Sequence, residues 1–229
     1  TAGFSLTAQQ PENNISRTAF QGLAAVLGGT QSLHTNSMDE TLALPSQKAA
    51  EIALRTQQLI AYESGVANVV DPLGGSWYVE ALTDQMEVEA EKYFTKIEEL
   101  GGVIPAIEMG YFQREIAEAA ADYQRRVDSK RRIVVGVNEF VKDNEDIEIP
   151  LLEIRKEVQD EQHKALDSLR VSRNNEEVEE KLAAITNASH NSENLIPIII
   201  EAAKSYATLG EIVDSMKVVF GEWQEAAVI

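Results

Sequence analysis

The first third of the chain alternates short apolar or small-residue runs with longer amphipathic stretches, and this order limits the folds open to it. The predicted strands are Ala2–Leu6, Thr30–Thr35 and Val66–Val70. The helices predicted between them are Pro11–Leu27 and Pro45–Glu63. Successive parallel strands need crossover connections, so a β-α-β-α-β order predicts an α/β fold with a parallel sheet.

The rest of the chain is strongly charged and is predicted to be mostly helical. The predicted helices are Tyr78–Leu100, Pro105–Met109, Phe112–Asp128, Leu151–Leu169, Glu176–Ala188, Leu195–Tyr206 and Gly210–Phe220. Pro150 is expected to open the fourth of these helices. Residues Ile133–Val137 are β-branched enough for one more strand or for an extended connection. An acidic turn is predicted at Asp143–Asp146.

The charge balance is acidic, with 20 Lys and Arg against 38 Asp and Glu and a net charge of −18. A surface of this sign repels phosphate backbones and anionic lipid, which argues against binding to nucleic acid or to a membrane. The chain contains no cysteine, so disulfides, thiol nucleophiles and cysteine-bound zinc are excluded. The three histidines lie far apart in the sequence, and we predict no metal site.

The first ten residues, TAGFSLTAQQ, lack a basic region followed by an apolar core and do not read as a signal peptide. The longest apolar run, Leu195–Ile200, is interrupted by Pro197 and falls far short of the ~20 residues of a membrane span. We therefore expect a cytoplasmic protein. The sequence does not begin with methionine and opens on a predicted strand, so we expect it to be cut from a longer chain.

The segment Gly28–Glu40, GGTQSLHTNSMDE, is polar where a buried parallel strand is normally apolar. Burying such groups without partners costs about 1–3 kcal/mol each, so protein, water or a ligand must satisfy them. Ligands of α/β proteins bind beyond the carboxyl ends of the strands, and here that end carries Asn36, Asp39 and Glu40. A carboxylate paired with an amide can hold a diol. Taken alone, the local pattern favours the alternative that Asn36 and Asp39 cap the turn into the next helix.

Four other features have a functional interpretation and a simpler structural one. The glycine-rich loop Asp71–Ser76 could cradle an anion, although a tight turn is the simpler interpretation. His34 could act as a ligand or acid, or could be a satisfied structural residue. Asp160–His163 could bind a metal or lie on the surface, and Lys130–Arg132 could meet a phosphate or complement a helix C-terminus.

Several longer motifs of the chain resemble those of a known protein family. The chain contains GGTQSLHTNSMDE, DPLGGSWYVE, RRIVVGVNEF and LGEIVDSMKVVFGEW. With the flanking residues, these motifs closely resemble adenosylcobalamin-dependent acyl-CoA mutases of the methylmalonyl-CoA mutase family. The resemblance covers nearly the whole chain, and the combination of the first two motifs is highly specific.

The resemblance implies a (β/α)₈ TIM barrel that threads a CoA thioester along its axis, followed by a helical extension. It implies that residues 1–128 are the last three strands and helices of the barrel of the large subunit. Residues 129–149 would be a connecting segment, and 150–229 a helical extension toward a cobalamin-binding subunit. The earlier strands, with the catalytic histidine, and the cobalt-ligating Asp-x-His-x-x-Gly signature are absent, so no catalytic residue is assigned in this chain.

Four residues match cofactor-binding positions of the family. Asn36 and Glu40 match positions that hold the ribose of the adenosyl group, which agrees with the diol argument and reverses the preference for a cap. Gln31 matches a polar position at the active cavity. Phe4 stands where family members often have tryptophan, close to the cofactor.

The resemblance implies part of an isomerase that performs a radical carbon-skeleton rearrangement of the methylmalonyl-CoA to succinyl-CoA type. Its cofactor would be adenosylcobalamin, bound mainly by a domain or subunit outside this chain. Its partners would be the N-terminal part of the barrel, the cobalamin-binding subunit and the acyl-CoA substrate, in an oligomer. We expect the isolated chain to be inactive. The alternative is a non-catalytic half-barrel that serves as an assembly or regulatory partner of a mutase complex.

Overall fold

The computed structural model describes residues 1–143, 149–191 and 193–225, and every regular element assigned within them is helical. The α-helices are α1 (Asn13–Leu27), α2 (Gln47–Tyr62), α3 (Trp77–Glu99), α4 (Val103–Glu108), α5 (Tyr111–Asp128), α6 (Lys156–Ser172), α7 (Asn175–His190), α8 (Leu195–Lys204) and α9 (Leu209–Phe220). The chain divides into two compact units, Thr1–Glu153 and a second unit that begins at Ile154. Helices α1 to α5 belong to the first unit and α6 to α9 to the second.

Every predicted helix has an observed counterpart, and polar side chains fix several of the starts. Ser46 accepts a hydrogen bond from the amide of Ala49 at 3.2 Å, which caps the N-terminus of α2. The largest error is at α6, which begins at Lys156 rather than at Leu151. Because Leu151 and its apolar neighbours are exposed, no buried face stabilises a helix there.

The predicted strands are wrong as secondary structure in the part of the chain that the structure describes. Ala2–Leu6 contains a 3₁₀ turn at Gly3–Ser5, and Val66–Val70 contains one at Val66–Asn68. Ile133–Val137 is not a strand: Val135 makes a single isolated bridge to Glu139, and Gly136 and Val137 lie in a turn. A strand requires a hydrogen-bonded neighbouring strand, and among the described residues these runs have none.

The second predicted strand, Thr30–Thr35, is also not a strand, and its last residues are held by α2. The Gln57 side-chain amide donates to the Leu33 carbonyl at 3.1 Å and to Thr35 Oγ1 at 2.9 Å. The Thr35 hydroxyl in turn donates to the Ala53 carbonyl at 2.8 Å. Helix side chains and carbonyls thus provide the hydrogen bonds that a neighbouring strand would otherwise supply.

Helices α1 and α2 pack closely in the first unit. A Cβ at Gly22 of α1 would lie 3.1 Å from Ile60 Cδ1 of α2, so glycine permits this approach. Ala49 and Ala53 are buried on the facing side of α2. Small residues on both helices therefore set the position of the polar segment that runs beside them.

The predicted connecting segment belongs to the first unit as far as the structure describes it, to residue 143. Arg17 Nη2 of α1 donates to the Val135 carbonyl at 2.8 Å. The side-chain amide of Gln10 donates to the Phe140 carbonyl at 3.0 Å. Most of the predicted acidic turn Asp143–Asp146 lies outside the described residues.

Helix α3 is the longest helix at 23 residues, and none of its residues is buried. Its first residue, Trp77, is 90% exposed. Among the described residues, no helix combines the length and apolarity needed to cross a bilayer.

The second unit has its own core. Ile185 of α7, Ala202 of α8 and Ile212 of α9 are buried against one another. Arg173, between α6 and α7, donates two hydrogen bonds to Glu211 at 2.8 and 2.5 Å and a third to the Tyr206 carbonyl at 2.9 Å. Arg173 therefore fixes the connection between α6 and α7 to the connection between α8 and α9 and to the first turn of α9.

Candidate functional site

Asn36 and Glu40 lie side by side at the end of the polar segment. Asn36 Nδ2 donates to Glu40 Oε2 at 2.6 Å. Asn36 is 6% exposed, whereas Glu40 is exposed. Glu40 Oε1 makes no hydrogen bond within the described residues, so the pair presents a free acceptor to the surface.

Thr1 orients the amide of Asn36 from the other side. The Thr1 hydroxyl donates to Asn36 Oδ1, and the Asn36 backbone amide donates to Thr1 Oγ1 at 2.9 Å. The Thr1 backbone nitrogen donates to the His34 carbonyl at 2.7 Å. Because Oδ1 accepts from a hydroxyl, Nδ2 is left to face the carboxylate of Glu40.

Gly3 forms a wall of the site that no other residue could form without displacing the carboxylate. A Cβ at Gly3 would lie 2.9 Å from Glu40 Oε1 and 3.6 Å from Asn36 Nδ2. The turn that carries Gly3 and the loop that carries the pair therefore form a cradle, and the absence of a side chain keeps it open.

Asp39 anchors this loop to α2. It is fully buried, and its Oδ2 accepts from the backbone amide of Ser46 at 2.9 Å. Burial acts to raise the pKa of Asp39, but the hydrogen bond from the Ser46 amide and the nearby Ser37 and Ser46 hydroxyls outweigh it, so the pKa lies below its ordinary value. Asp39 is thus an ionised structural anchor, while Ser46 provides the side-chain cap of α2.

A small cavity of about 230 Å³ lies next to Glu40. Its other lining residues are His34, Thr35, Ser37, Pro45, Ala50, Ala53, Leu54 and Gln57. The lining combines an apolar floor from α2 with polar groups of the loop. His34 contributes to the wall of this cavity, and its backbone carbonyl is bonded to Thr1.

Phe4 faces a different cavity, of about 430 Å³. Its ring is 74% exposed and meets the ring of Tyr123 edge-on, with centroids 4.9 Å apart. The guanidinium of Arg132 lies 4.7 Å from the centroid of Tyr123. Gln31 is exposed and is not among the residues lining either of these cavities. The structure therefore brings Asn36 and Glu40 together, and neither Phe4 nor Gln31 lines the cavity beside Glu40.

Two of the remaining candidates make contacts within the protein. In the Asp71–Ser76 loop, the Gly75 amide donates to Glu80 Oε1 at 2.7 Å. Lys130 forms an ion pair with Glu139 at 2.8 Å. The described residues contain no group of three or more His, Cys, Asp or Glu that could hold a metal ion, and this includes Asp160–His163.

Sequence reasoning missed three residues of the site: Thr1, Gly3 and Asn14. Each of them contacts the Asn36–Glu40 loop or the residues just before it from more than twenty positions away in the sequence, so no local sequence pattern predicts these contacts. Gly3 carried a partial indication, because a glycine within a predicted strand often marks a close backbone approach.

The described fold is mostly helical, and its polar loop holds an amide and a carboxylate side by side. The family model described as methylmalonyl-CoA mutase matches residues 1–222. The chain belongs to the methylmalonyl-CoA mutase family.

Curated relatives agree with this assignment. The chain is 46% identical over 224 residues to the methylmalonyl-CoA mutase of Escherichia coli (strain K12), covering 97% of this chain and 31% of that protein. It is 43% identical over 231 residues to the 2-hydroxyisobutanoyl-CoA mutase large subunit of Aquincola tertiaricarbonis, covering 100% and 41%. It is 43% identical over 223 residues to the mitochondrial methylmalonyl-CoA mutase of Homo sapiens, covering 97% and 30%. The chain thus spans less than half the length of each of these relatives.

Proposed function

We propose that this chain is the C-terminal part of the catalytic large subunit of an adenosylcobalamin-dependent acyl-CoA mutase. In this proposal Asn36 and Glu40 hold the ribose hydroxyls of the adenosyl group. The observation that carries the proposal is the 2.6 Å hydrogen bond between the two side chains, in a cradle kept open by Gly3. Membership of the family and the names of the relatives support the same reaction class.

The residues present fit a ribose diol. A carboxylate is an acceptor only, and Glu40 Oε1 is free to accept a hydroxyl hydrogen within the described residues. The amide of Asn36 can accept and donate, and Thr1 fixes its orientation. A Cβ at Gly3 would lie 2.9 Å from Glu40 Oε1, so glycine lets the carboxylate keep its position beside Asn36.

In this proposal the chain orients the adenosyl group of the cofactor. When bound, adenosylcobalamin supplies the radical chemistry that removes a hydrogen from the acyl chain. Asn36 and Glu40 would orient the ribose, and Asp39 would hold their loop against α2 through Ser46. Phe4 and Gln31, which do not line the cavity beside Glu40, are proposed as further contacts of the cofactor.

We propose that the first unit completes a (β/α)₈ barrel whose N-terminal part lies outside this chain. Val70 is 97% exposed and Trp77 is 90% exposed, which supports a large partner surface on the first unit. The other proposed partners are a cobalamin-binding domain or subunit and an acyl-CoA, within an oligomer. The isolated chain is expected to be inactive, and the cytoplasmic location stays a prediction.

The test uses the full-length protein, with its cobalamin-binding subunit if that is a separate chain. Methylmalonyl-CoA and 2-hydroxyisobutanoyl-CoA serve as substrates, and isomerisation is measured with adenosylcobalamin. We expect Glu40→Ala to lower turnover at least tenfold, because a hydrogen bond to a charged group contributes about 1.5–3 kcal/mol. Folding should change little, since the Glu40 side chain is exposed.

The matched control is Glu51→Ala, an exposed glutamate of α2 whose only described contact is an ion pair with Arg55 at 3.4 Å. It should leave turnover unchanged. Normal turnover in Glu40→Ala would remove the ribose assignment. A wild-type protein that isomerises neither substrate would favour the non-catalytic partner of a mutase complex.

A further inference from the structure

Asn14 is a fully buried amide on α1 that bonds the segment after the Gly3 turn and the loop that carries the Asn36–Glu40 pair. Its Nδ2 donates to the Thr7 carbonyl at 2.8 Å and to the Met38 carbonyl at 2.9 Å. Its Oδ1 accepts from the Thr7 backbone amide at 3.0 Å and from Arg17 Nη1 at 2.8 Å. Every hydrogen-bonding position of this amide is therefore occupied by protein.

The two segments that Asn14 joins are those that build the site. Thr7 follows the turn whose Gly3 lies against the Glu40 carboxylate. Met38 lies between Asn36 and Glu40 in the loop that carries the pair. We infer that Asn14 is a positioning residue that sets the separation between the Gly3 wall and the Asn36–Glu40 pair, and this inference rests on the proposed function.

Only an amide of this length satisfies the four contacts. An aspartate at position 14 would place an oxygen against the carbonyls of Thr7 and Met38, where Asn14 Nδ2 now donates. A shorter side chain could not reach both carbonyls. Arg17 reinforces the same junction, because its Nη1 also donates to Thr7 Oγ1 at 2.8 Å.

The test compares two cobalamins on the full-length protein, with its cobalamin-binding subunit where that is separate. Affinity is measured for adenosylcobalamin and for methylcobalamin, in which a methyl group replaces the adenosyl group. The ratio of the two affinities reports contacts to the adenosyl group, and a general loss of stability lowers both affinities together. We expect Asn14→Asp to lower this ratio about tenfold, toward the value found for Glu40→Ala.

Thr56→Val is the matched control. Thr56 is also buried, at 6% exposure, but its hydroxyl donates only to the Ile52 carbonyl of its own helix at 3.0 Å. It should leave the ratio unchanged. Asn14→Ser, which removes the reach of the side chain without adding a charge, replaces Asn14→Asp if the latter does not fold.

The three possible results distinguish the positioning role of Asn14 from ribose binding by Asn36 and Glu40. A lowered ratio in Glu40→Ala and in an Asn14 variant, with Thr56→Val unchanged, supports a positioning role. A lowered ratio in Glu40→Ala with a wild-type ratio in both Asn14 variants overturns that role and leaves the ribose proposal standing. A wild-type ratio in Glu40→Ala overturns the ribose proposal and this inference with it.

Discussion

Glu211 is the residue of the second unit whose charge is most strongly coupled to folding. The two hydrogen bonds from Arg173 lower the pKa of Glu211 from 4.5 to about 2, against an opposing effect of burial. The Thr208 amide and hydroxyl add hydrogen bonds to the same carboxylate at 2.7 and 2.8 Å. The folded unit therefore strongly favours the ionised form of Glu211.

The second unit should lose stability in acid because of Glu211. A depressed pKa in the folded state gives stabilisation that is complete above the unfolded pKa, near 4.5, and is lost as the pH falls through about 2. The shift corresponds to about 3 kcal/mol. Hydrogen exchange of the α7 and α9 amides at stepped pH values measures this loss.

Glu211→Gln should remove most of this pH dependence, whereas Glu201→Gln should keep it. Glu201 has an exposed ion pair with Lys204 at 2.7 Å, of the kind that contributes little to stability. Equal pH dependence in the wild-type protein and in Glu211→Gln would show that the Arg173 pair is not its source.

Gly3→Ala should weaken ligand binding far more than folding. The added Cβ would lie 2.9 Å from Glu40 Oε1, and the flexible glutamate can swing away at a cost below about 1 kcal/mol. The displaced carboxylate should then bind the ribose poorly. Equilibrium binding of adenosylcobalamin to the full-length protein should show a loss of affinity of severalfold or more.

Gly210→Ala is the comparison, because a Cβ there would meet nothing within 4 Å. Its affinity for adenosylcobalamin should equal that of the wild-type protein. Wild-type affinity in Gly3→Ala would indicate that the space beside Glu40 is not used by the ligand.

At this scale the sequence placed Asn36 and Glu40 in one polar segment, and the family resemblance singled out this pair, but neither predicted the surroundings of the two side chains. The polarity of the segment and the spacing of an amide and a carboxylate can be read locally. The contacts of Gly3 with Glu40 and of Asn14 with Met38 depend on how distant segments fold together. No pattern within either segment encodes that approach.

Among the elements, helices were predictable and strands were not, for a common physical reason. A helix forms its hydrogen bonds within one segment, so its apolar period and its caps are visible in sequence, as for α2 with Ser46. A strand depends on a neighbour. Val66–Asn68 has the composition of a strand, yet with no partner among the described residues it forms a 3₁₀ turn after Gly65, whose φ is +73°.

Thr208→Ala should destabilise α9 by about 1 kcal/mol, the usual cost of removing an N-cap. Thr208 and Glu211 form a capping box, in which the Glu211 amide donates to Thr208 Oγ1 at 3.4 Å. Urea unfolding, followed by hydrogen exchange of the α9 amides, measures the change.

Ser172→Ala provides the control for this cap. The Ser172 hydroxyl donates to the Leu169 carbonyl of its own helix at 3.2 Å and caps no N-terminus, so its loss should be nearly neutral. Equal effects of the two substitutions would argue that the capping box contributes nothing specific.

For the whole molecule, the exposed apolar side chains of the first unit predict self-association of the isolated chain. Val70 and Trp77 are almost fully exposed, and Tyr62 and Tyr78 are nearly as open. Exposed apolar groups of this kind favour contact with another surface. Sedimentation velocity should show a sedimentation coefficient that rises with concentration.

Trp77→Glu should reduce this association, whereas Trp223→Glu, in the second unit, should reduce it less. A chain that stays monomeric at high concentration, with strong hydrogen-exchange protection throughout its first 80 residues, would contradict the prediction.

At the scale of the molecule, the family could be identified from sequence because long motifs such as GGTQSLHTNSMDE are specific as strings. The sheet could not be derived from the same residues. Its strands were inferred from composition and alternation, whereas strand formation depends on neighbours, and the described residues supply none.

The attachment of the polar segment to α2 has a consequence for motion. Gln57 and Ala53 hold Leu33 and Thr35, just before Asn36. The loop that carries Glu40 is fastened to the first turn of the same helix through Asp39 and Ser46. The segments that carry the pair are therefore tied to α2, while Met38 between them is tied to Asn14 of α1. We expect a displacement of α2 to carry both side chains with it only as far as this second attachment allows.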